Sequence, residues 1–205
     1  MLGQLKLFKE VALSSKLRNR ISVGIIPTTE ANTIVKSYHY LKRKRTGSRL
    51  LAHGIFLDNE MVGCLIYADP TFIKKKGLIP PLEQGEVIEL ARLWLDDKAP
   101  KHSESCALGK SLKRIAEDWE HKYGIAIKAI VSFSDERYSH QGIVYKAANF
   151  EDFGYAPMAR LDKAGEVYPR ENEGWGAGHY RRRNTHTNEP RSKTIKRCYV
   201  FWLER

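Results

Sequence analysis

Side chains able to do chemistry are concentrated between residues 129 and 154. An apolar, β-branched run over 129–134, which ends in Ser134, has the length of a buried strand, and Asp135 follows it directly. Tyr145 then lies at the start of a short helix that follows a polar turn. Open α/β sheets place catalytic groups where a strand ends and its helix begins. The pattern indicates either such a site or an ordinary strand–helix joint with a solvated acidic turn.

The elements that must position these residues follow from hydrophobic periodicity. Strands are predicted at 21–26, 50–57, 61–69, 86–95, 129–134, 155–161 and 194–203, and helices at 28–40, 105–123 and 143–150. The first helix is expected to be capped by Thr28 or Thr29, and the last to stop at Gly154. A period of two in the fourth strand places Glu89 and Arg92 on opposite faces.

The composition indicates one basic domain over residues 1–205, with an N-terminal arm at 1–20 and a glycine-rich, charged insertion at 162–192. Its 35 Lys and Arg against 24 Asp and Glu leave a net charge of +11, which favours nucleic acid as partner, with an acidic membrane surface second. Without an apolar run of membrane length or a signal peptide, we expect a cytoplasmic protein. The three scattered cysteines suggest neither disulfides nor a thiolate zinc site.

Basic runs lie in predicted loops, where so large an excess of positive charge is better explained by phosphate contacts than by solvation. The candidate DNA-binding residues are Arg43, Lys44, Arg45, Arg49, Lys75, Arg181, Arg182, Arg183 and Lys193. Beside the last group, the glycine-rich segment 174–180 carries Trp175 and Tyr180, which are able to stack on bases.

The order of elements (strand, helix, hairpin, strand, helix, strand, helix, strand) resembles the GNAT superfamily of acyltransferases. That resemblance implies an α/β fold with a mixed sheet whose central parallel strands splay apart and are flanked by helices. More specific are His-Tyr at 39–40, Glu-Leu-Ala-Arg at 89–92, Ser-Glu-Ser at 103–105, Ser-Phe-Ser-Asp at 132–135 and the run at 140–150. Together they resemble the phage Mom family of DNA-modification proteins. The family implies conversion of adenine in duplex DNA to its N6-carbamoylmethyl form, which protects phage DNA from restriction.

The resemblance also implies roles for individual residues. Asp135 would act as a general base and Tyr145 would protonate the leaving group, with His39, Tyr40 and Ser134 completing the catalytic set. Ordinary structure explains the same residues as an Asx turn, a half-buried aromatic ring and a structural histidine. The implied donor-binding residues are Ser103, Ser105, Arg92, Gly109 and Asn149. Both serines also suit a helix cap, and nothing in the sequence marks a histidine as the partner that would make Cys106 a nucleophile.

The donor is left open by the segment 101–109 before the long helix. GNAT enzymes hold the diphosphate of coenzyme A there with a glycine-rich loop, whereas this chain offers only Gly109 and places Glu104 where the phosphates would lie. The donor is therefore either an acyl-CoA or an aminoacyl-tRNA, and a divalent metal is neither indicated nor excluded. Double-stranded DNA is the expected partner. Alternative functions are an N-acyltransferase acting on a protein amine or an aminoacyl group, and a non-catalytic DNA-binding module.

Overall fold

The computed structural model describes residues 16–70, 82, 85–135, 138, 140–155, 159–161, 167–169 and 196–203. The chain divides into two compact units, the first formed by Met1–Asp69 with Ile88–Ile127 and the second by Pro70–Val87 with Lys128–Arg205. Several sequence predictions lie outside the described residues: Lys75, Trp175, Tyr180, Arg181, Arg182, Arg183 and Lys193. Within the described ranges, none of the helices combines the length and apolar character needed to cross a bilayer.

The first unit contains an antiparallel run of strands in the order β1 (Ile21–Ile26), β2 (Leu50–Leu57), β3 (Glu60–Ala68) and β4 (Val87–Leu95). The predicted hairpin between β2 and β3 is confirmed. Its turn residues Asp58 and Asn59 have φ values of 51° and 71°, as a two-residue turn that matches strand twist requires. At Gly63 an added Cβ would lie 2.4 Å from the Trp94 carbonyl oxygen, so only glycine allows β3 and β4 to approach this closely.

A β-bulge in β4 overturns the predicted separation of Glu89 and Arg92. Ile66 of β3 is opposite Arg92, but its neighbour Tyr67 is opposite Leu90, so one extra residue is inserted into β4. The extra residue shifts the alternation, and both charged side chains meet the basic loop over 41–49. A period of two does not hold across the bulge, and the prediction of opposite faces is wrong for that reason.

Helix α1 (Thr28–Tyr38) covers one face of this sheet, with Ala31 and Val35 buried against β2 and β3. The predicted threonine cap is wrong, because Pro27 is the N-cap residue and no side chain caps the helix. The predicted long helix is two helices, α2 (Ser103–Leu112) and α3 (Ile115–Tyr123). At the break the Arg114 guanidinium donates to the Val23 carbonyl oxygen at 2.8 Å, a tertiary contact that periodicity does not reveal.

The second unit contains three neighbouring antiparallel strands in the order β5 (Ala129–Asp135), β9 (Lys196–Trp202) and β6 (Glu151–Tyr155). Helix α4 (Ile143–Ala147) lies between β5 and β6 in the chain. Two short strands, β7 (Ala159–Leu161) and β8 (Val167–Pro169), pair with each other.

Three local predictions in the second unit are corrected. Helix α4 ends at Ala147, and Asn149 follows it with a φ of 63°. Gly154 does not stop this helix, because it lies within β6 with a φ of 73°, where the register with β9 shifts. The strand predicted at 155–161 is divided between β6 and β7, and β8 lies inside the insertion that showed no strand pattern.

Candidate active site

The two faces of β5 carry different chemistry. Its register with β9 runs without a shift from Ala129, opposite Trp202, to Asp135, opposite Lys196, so residues directly opposite share a face. One face is the core of the second unit and holds the side chains Val87, Ala129, Val131, Cys198 and Val200. The other, here called the hydroxyl face, carries Ser132 and Ser134 of β5 with their partners Tyr199 and Arg197.

Helix α4 packs an aromatic cluster onto the hydroxyl face. The ring centroids of Tyr145 and Tyr199 are 5.1 Å apart, and those of Tyr145 and Phe150 are 5.5 Å apart. The Tyr199 hydroxyl donates to the Gln141 carbonyl oxygen at 3.1 Å. Gly142 touches the same ring, since an added Cβ would lie 2.2 Å from the phenol end of Tyr199. These contacts hold the half-buried Tyr145 over the face that carries the two serines.

Ser134 is the residue of this face whose hydrogen-bonding capacity is left unused by the described residues. It is 3% exposed, and its Oγ has no hydrogen-bond partner within the described part of the chain. A buried hydroxyl without a partner costs about 1–3 kcal/mol and is usually explained by a ligand or a catalytic role. The structure therefore brings two hydroxyl groups to one face: that of Ser134, which has no partner among the described residues, and the phenol of Tyr145, which is able to donate a proton.

The Asp135 side chain lies on the face of β5 opposite the hydroxyl face. It is buried to 3% exposure as the last residue of β5, and alternation places it on the same face as Phe133 and the core. The carboxylate and the phenol are thus not side by side on the sheet.

In the first unit, the bulge of β4 gathers charges beneath the basic loop. The Arg45 guanidinium donates to Glu89 Oε2 at 3.0 Å and to the Asp69 carbonyl oxygen at 2.7 Å, and its side chain is only 11% exposed. Arg49 forms two bonds to the Asp69 carboxylate. Burial lowers the pKa of Arg92, while Glu89 acts in the opposite direction. Arg45 and Arg49 are thus engaged by protein carboxylates.

His39 and Tyr40 form a stacked pair at the end of α1, with ring centroids 4.3 Å apart. His39 is 5% exposed, and its Nδ1 accepts a hydrogen bond from the Leu41 backbone N–H at 3.1 Å. A metal at this histidine would have to use Nε2. Among the residues that the structure describes, no group of three His, Cys, Asp or Glu side chains is placed to hold a metal ion.

The start of α2 does not match a diphosphate-binding loop. Gly109 lies inside the helix rather than before it, so the prediction that it serves as the loop glycine is wrong. The predicted serine caps are also wrong, because His102 is the N-cap residue with no side-chain bond. Ser105 Oγ donates to the His102 carbonyl oxygen at 3.2 Å. Ser103 is 2% exposed, and its Oγ has no partner in the described residues.

Two further residues stand apart from these groups. Asn149 is exposed and keeps a positive φ just after α4. Burial raises the pKa of the Cys106 thiol, which disfavours the thiolate and agrees with the prediction that it is not a nucleophile.

A buried polar chain in the first unit was missed by the sequence analysis. His53, with no exposed surface, has its Nδ1 2.7 Å from Ser111 Oγ and its Nε2 2.9 Å from Asp118 Oδ2. The Tyr67 hydroxyl lies 2.6 Å from Ser111 Oγ, and Arg114 donates to Asp118. Burial lowers the pKa of His53 to about 4, against the attraction of Asp118. The only sequence signal was a histidine inside an otherwise apolar strand.

With neutral His53, one arrangement of protons satisfies this chain. The Tyr67 hydroxyl donates to Ser111, the Ser111 hydroxyl donates to His53 Nδ1, and His53 Nε2–H donates to the Asp118 carboxylate. All of these side chains are at least largely buried, and Ser111 and His53 have no exposed surface. Although this hydrogen-bonded network contains a serine, a histidine and an aspartate, its role is structural, because it connects β2, β3, α2 and α3.

Solved structures with the same architecture identify the class of fold. Arabidopsis thaliana NAA60 in complex with acetyl-CoA aligns with a TM-score of 0.53 at 6% identity, over 89% of this chain and 99% of that one. RimL, a ribosomal L7/L12 alpha-N-protein acetyltransferase in complex with coenzyme A, gives 0.49 at 10% identity, over 89% and 94%. A Desulfovibrio desulfuricans protein assigned to the GNAT family of acetyltransferases gives 0.47 at 10% identity, over 90% and 99%. The alignment with NAA60 confirms the predicted GNAT-like α/β fold class.

Sequence comparison then gives the family. A model described as the Mom protein family matches residues 20–205, and the chain belongs to that family. Methylcarbamoylase mom of Escherichia phage Mu is 30% identical over 141 residues, which make up 67% of this chain. The chain spans 55% of the length of that relative.

Proposed function

We propose that this protein is a transferase that converts adenine in duplex DNA to an N6-carbamoylmethyl derivative and so protects phage DNA from restriction. The observation that carries the proposal is the Mom family match over residues 20–205. The name of the phage Mu relative, a methylcarbamoylase, agrees with it. The net charge of +11 supports a polyanionic substrate.

The chemistry needs two proton transfers. The transfer forms a bond between adenine N6 and a carbon of the donor and breaks the bond from that carbon to the leaving sulfur or oxygen. N6 loses a proton, and the leaving thiolate or alkoxide takes one up. Attack on the carbonyl of an aminoacyl donor gives an N6-glycyl group, an isomer of the carbamoylmethyl group that must rearrange to form it. We assign the first role to the Asp135 carboxylate and the second to the Tyr145 hydroxyl. Ser134 would donate a hydrogen bond to the transferred group from its buried hydroxyl, for which the described residues provide no partner. Adenine N6 is paired in duplex DNA, so the base must leave the stack to react.

Mass spectrometry of nucleosides tests the function directly. DNA from cells that express the protein should contain a new adenosine species of the carbamoylmethyl mass, and Asp135→Asn should remove it while DNA affinity stays within about twofold. Acylated protein without a new nucleoside would support the N-acyltransferase alternative. DNA binding with neither product would leave a non-catalytic binding module.

Replacing Ser134 by alanine should separate function from stability. Because the variant removes a buried hydroxyl that has no partner among the described residues, we expect the free energy of unfolding to stay the same or rise by up to about 1 kcal/mol. Product should nevertheless fall by at least tenfold. Urea unfolding and nucleoside yield measure the two effects. Ser22→Ala, on an exposed position of β1, is the matched control. A clear loss of stability in Ser134→Ala would mean that the hydroxyl is satisfied by the protein.

The donor is tested by binding. An acyl-CoA is the first candidate, since NAA60 of the same fold was solved with acetyl-CoA. Its diphosphate would meet the Glu104 carboxylate in the first turn of α2, which is unfavourable at a helix start that should attract anions. We therefore expect weak binding of acetyl-CoA by calorimetry, and about two- to fivefold tighter binding by Glu104→Gln. Saturable micromolar binding by the unaltered protein would contradict this expectation.

A further inference from the structure

The exposed Tyr38, the last residue of α1, stacks on Trp94 of β4. The ring centroids of Tyr38 and Trp94 are 5.0 Å apart, with 23° between the ring planes. Tyr38 is nevertheless 65% exposed. One face of its ring therefore rests on Trp94 while the other is open to solvent. A fixed aromatic ring with an open face is a platform for another flat group.

The strand register explains why Trp94 reaches this position. Trp94 is opposite Cys64 and Arg92 is opposite Ile66, so all four side chains share one face of the sheet. Cys64 and Ile66 pack against α1. Trp94 thus lies on the face that α1 covers, where it meets the last residue of the helix. Since β4 carries one ring of the pair and α1 the other, the two rings are stacked without any ligand.

The residues that follow α1 add a second aromatic ring, Tyr40, and two exposed cations, Arg43 and Lys44. Tyr40 is 39% exposed and stacked on His39, and its phenol lies close enough to Arg92 for the two to interact electrostatically. The carbonyl oxygen of Arg43 accepts a bond from Arg92 Nε at 3.4 Å, which ties the loop to β4. The Arg43 and Lys44 side chains are exposed, in contrast to Arg45 and Arg49, which bind carboxylates.

We propose that Tyr38, Tyr40, Trp94, Arg43 and Lys44, here called the aromatic–basic patch, bind an unstacked nucleobase of DNA together with its flanking phosphates. The open ring face of Tyr38 suits a base, which stacks without regard to sequence. Exposed cations on the adjoining loop suit the phosphates on either side. The proposal rests on the proposed function, which requires an adenine that has left the helical stack.

The test measures DNA affinity with and without an unstacked base. The full chain is titrated into a labelled duplex that carries one unpaired adenine, and into the same duplex fully paired. Stacking on an aromatic side chain contributes about 1–3 kcal/mol per base, which corresponds to roughly 5- to 150-fold in affinity. We expect Tyr38→Ala to weaken binding to the unpaired-adenine duplex within that range and binding to the paired duplex by less than threefold. Tyr38→Phe should keep the affinity.

Two further variants complete the test. Ile25→Ala changes an exposed apolar side chain of β1, 55% exposed, and should leave both affinities unchanged. Replacing Arg43 and Lys44 by alanine should weaken binding to both duplexes and reduce the salt slope by about 0.9 per lost phosphate contact.

Equal loss on both duplexes for Tyr38→Ala, or no loss on either, overturns the proposal. Its failure is distinct from failure of the proposed function, because modified adenosine would still be found in cellular DNA. Conversely, Tyr38-dependent binding of the unpaired adenine would support the patch even if no modified nucleoside were formed. An unaltered protein that binds neither duplex would overturn both.

Discussion

Replacing Tyr145 by phenylalanine should lower the yield of modified adenosine by about 10²- to 10⁴-fold, the range that a positioned acid contributes. The ring that stacks on Tyr199 and Phe150 is kept, so packing on the hydroxyl face is preserved and only the hydroxyl is lost. The free energy of unfolding should change by less than about 0.5 kcal/mol, since the side chain is only half buried. Single-turnover modification of a DNA duplex, quantified by nucleoside mass spectrometry, gives the rate.

Tyr199→Phe is the matched control. Its hydroxyl is the one that bonds the Gln141 carbonyl oxygen, so its loss should cost about 1 kcal/mol of stability and leave most of the rate. If the two variants lose rate equally, the phenol of Tyr145 has no special part in the reaction. If Tyr145→Phe keeps the full rate, another group protonates the leaving atom.

The second large effect is a loss of stability on mild acidification, caused by His53. In the unfolded chain this histidine takes up a proton with a pKa near 6.5, whereas burial holds its folded-state pKa at about 4. Between these values the unfolded state binds more protons, so stability falls as pH drops from about 6.5 to about 4. Below the folded-state pKa this group adds no further loss. This difference between the two pKa values corresponds to a loss of about 3 kcal/mol in the free energy of unfolding.

Urea unfolding at several pH values between 4 and 7 measures this dependence. His53→Gln should be less stable at pH 7, because Ser111 and Asp118 lose their partner, but its stability should vary less over the same range. The Asp118 carboxylate remains ionised through most of the range. Although burial raises the pKa of Asp118, its bonds to Arg114 hold it below the ordinary value. Parallel pH profiles for the two proteins would contradict the prediction, because they would show that His53 has the same pKa in the folded and unfolded states.

The two large predictions concern Tyr145, which the sequence analysis identified as a candidate, and His53, which it did not. Tyr145 was singled out because it begins the helix after the predicted strand, within the run at 140–150 that resembles the Mom family. The family is confirmed, and the role of Tyr145 stays a prediction. His53 was not found, since its partners are 58 and 65 residues away and no periodic pattern connects them. A polar residue in an apolar strand shows that a partner must exist but does not say which residue it is.

Local patterns determined much of the fold. The strand at Ile21–Ile26, the hairpin around Asp58–Asn59, and the buried strand ending at Asp135 were all predictable. Each depends on neighbours within a few residues: β-branched runs, turn residues that tolerate positive φ, and apolar alternation. The net charge likewise needs no structure, and neither does the chemical class of the residues at the end of β5.

Tertiary structure alone decided how those residues are arranged. The bulge in β4 brought Glu89 and Arg92 to the same loop, and the contact of Arg114 with Val23 accompanies the division of a predicted helix. Pairing of β5 with β9 decided which face of β5 became the core, so that Asp135 shares the core face and Ser134 the hydroxyl face. The physical reason is common to all three: each depends on a partner distant in sequence, and a single inserted residue reverses which side chains meet.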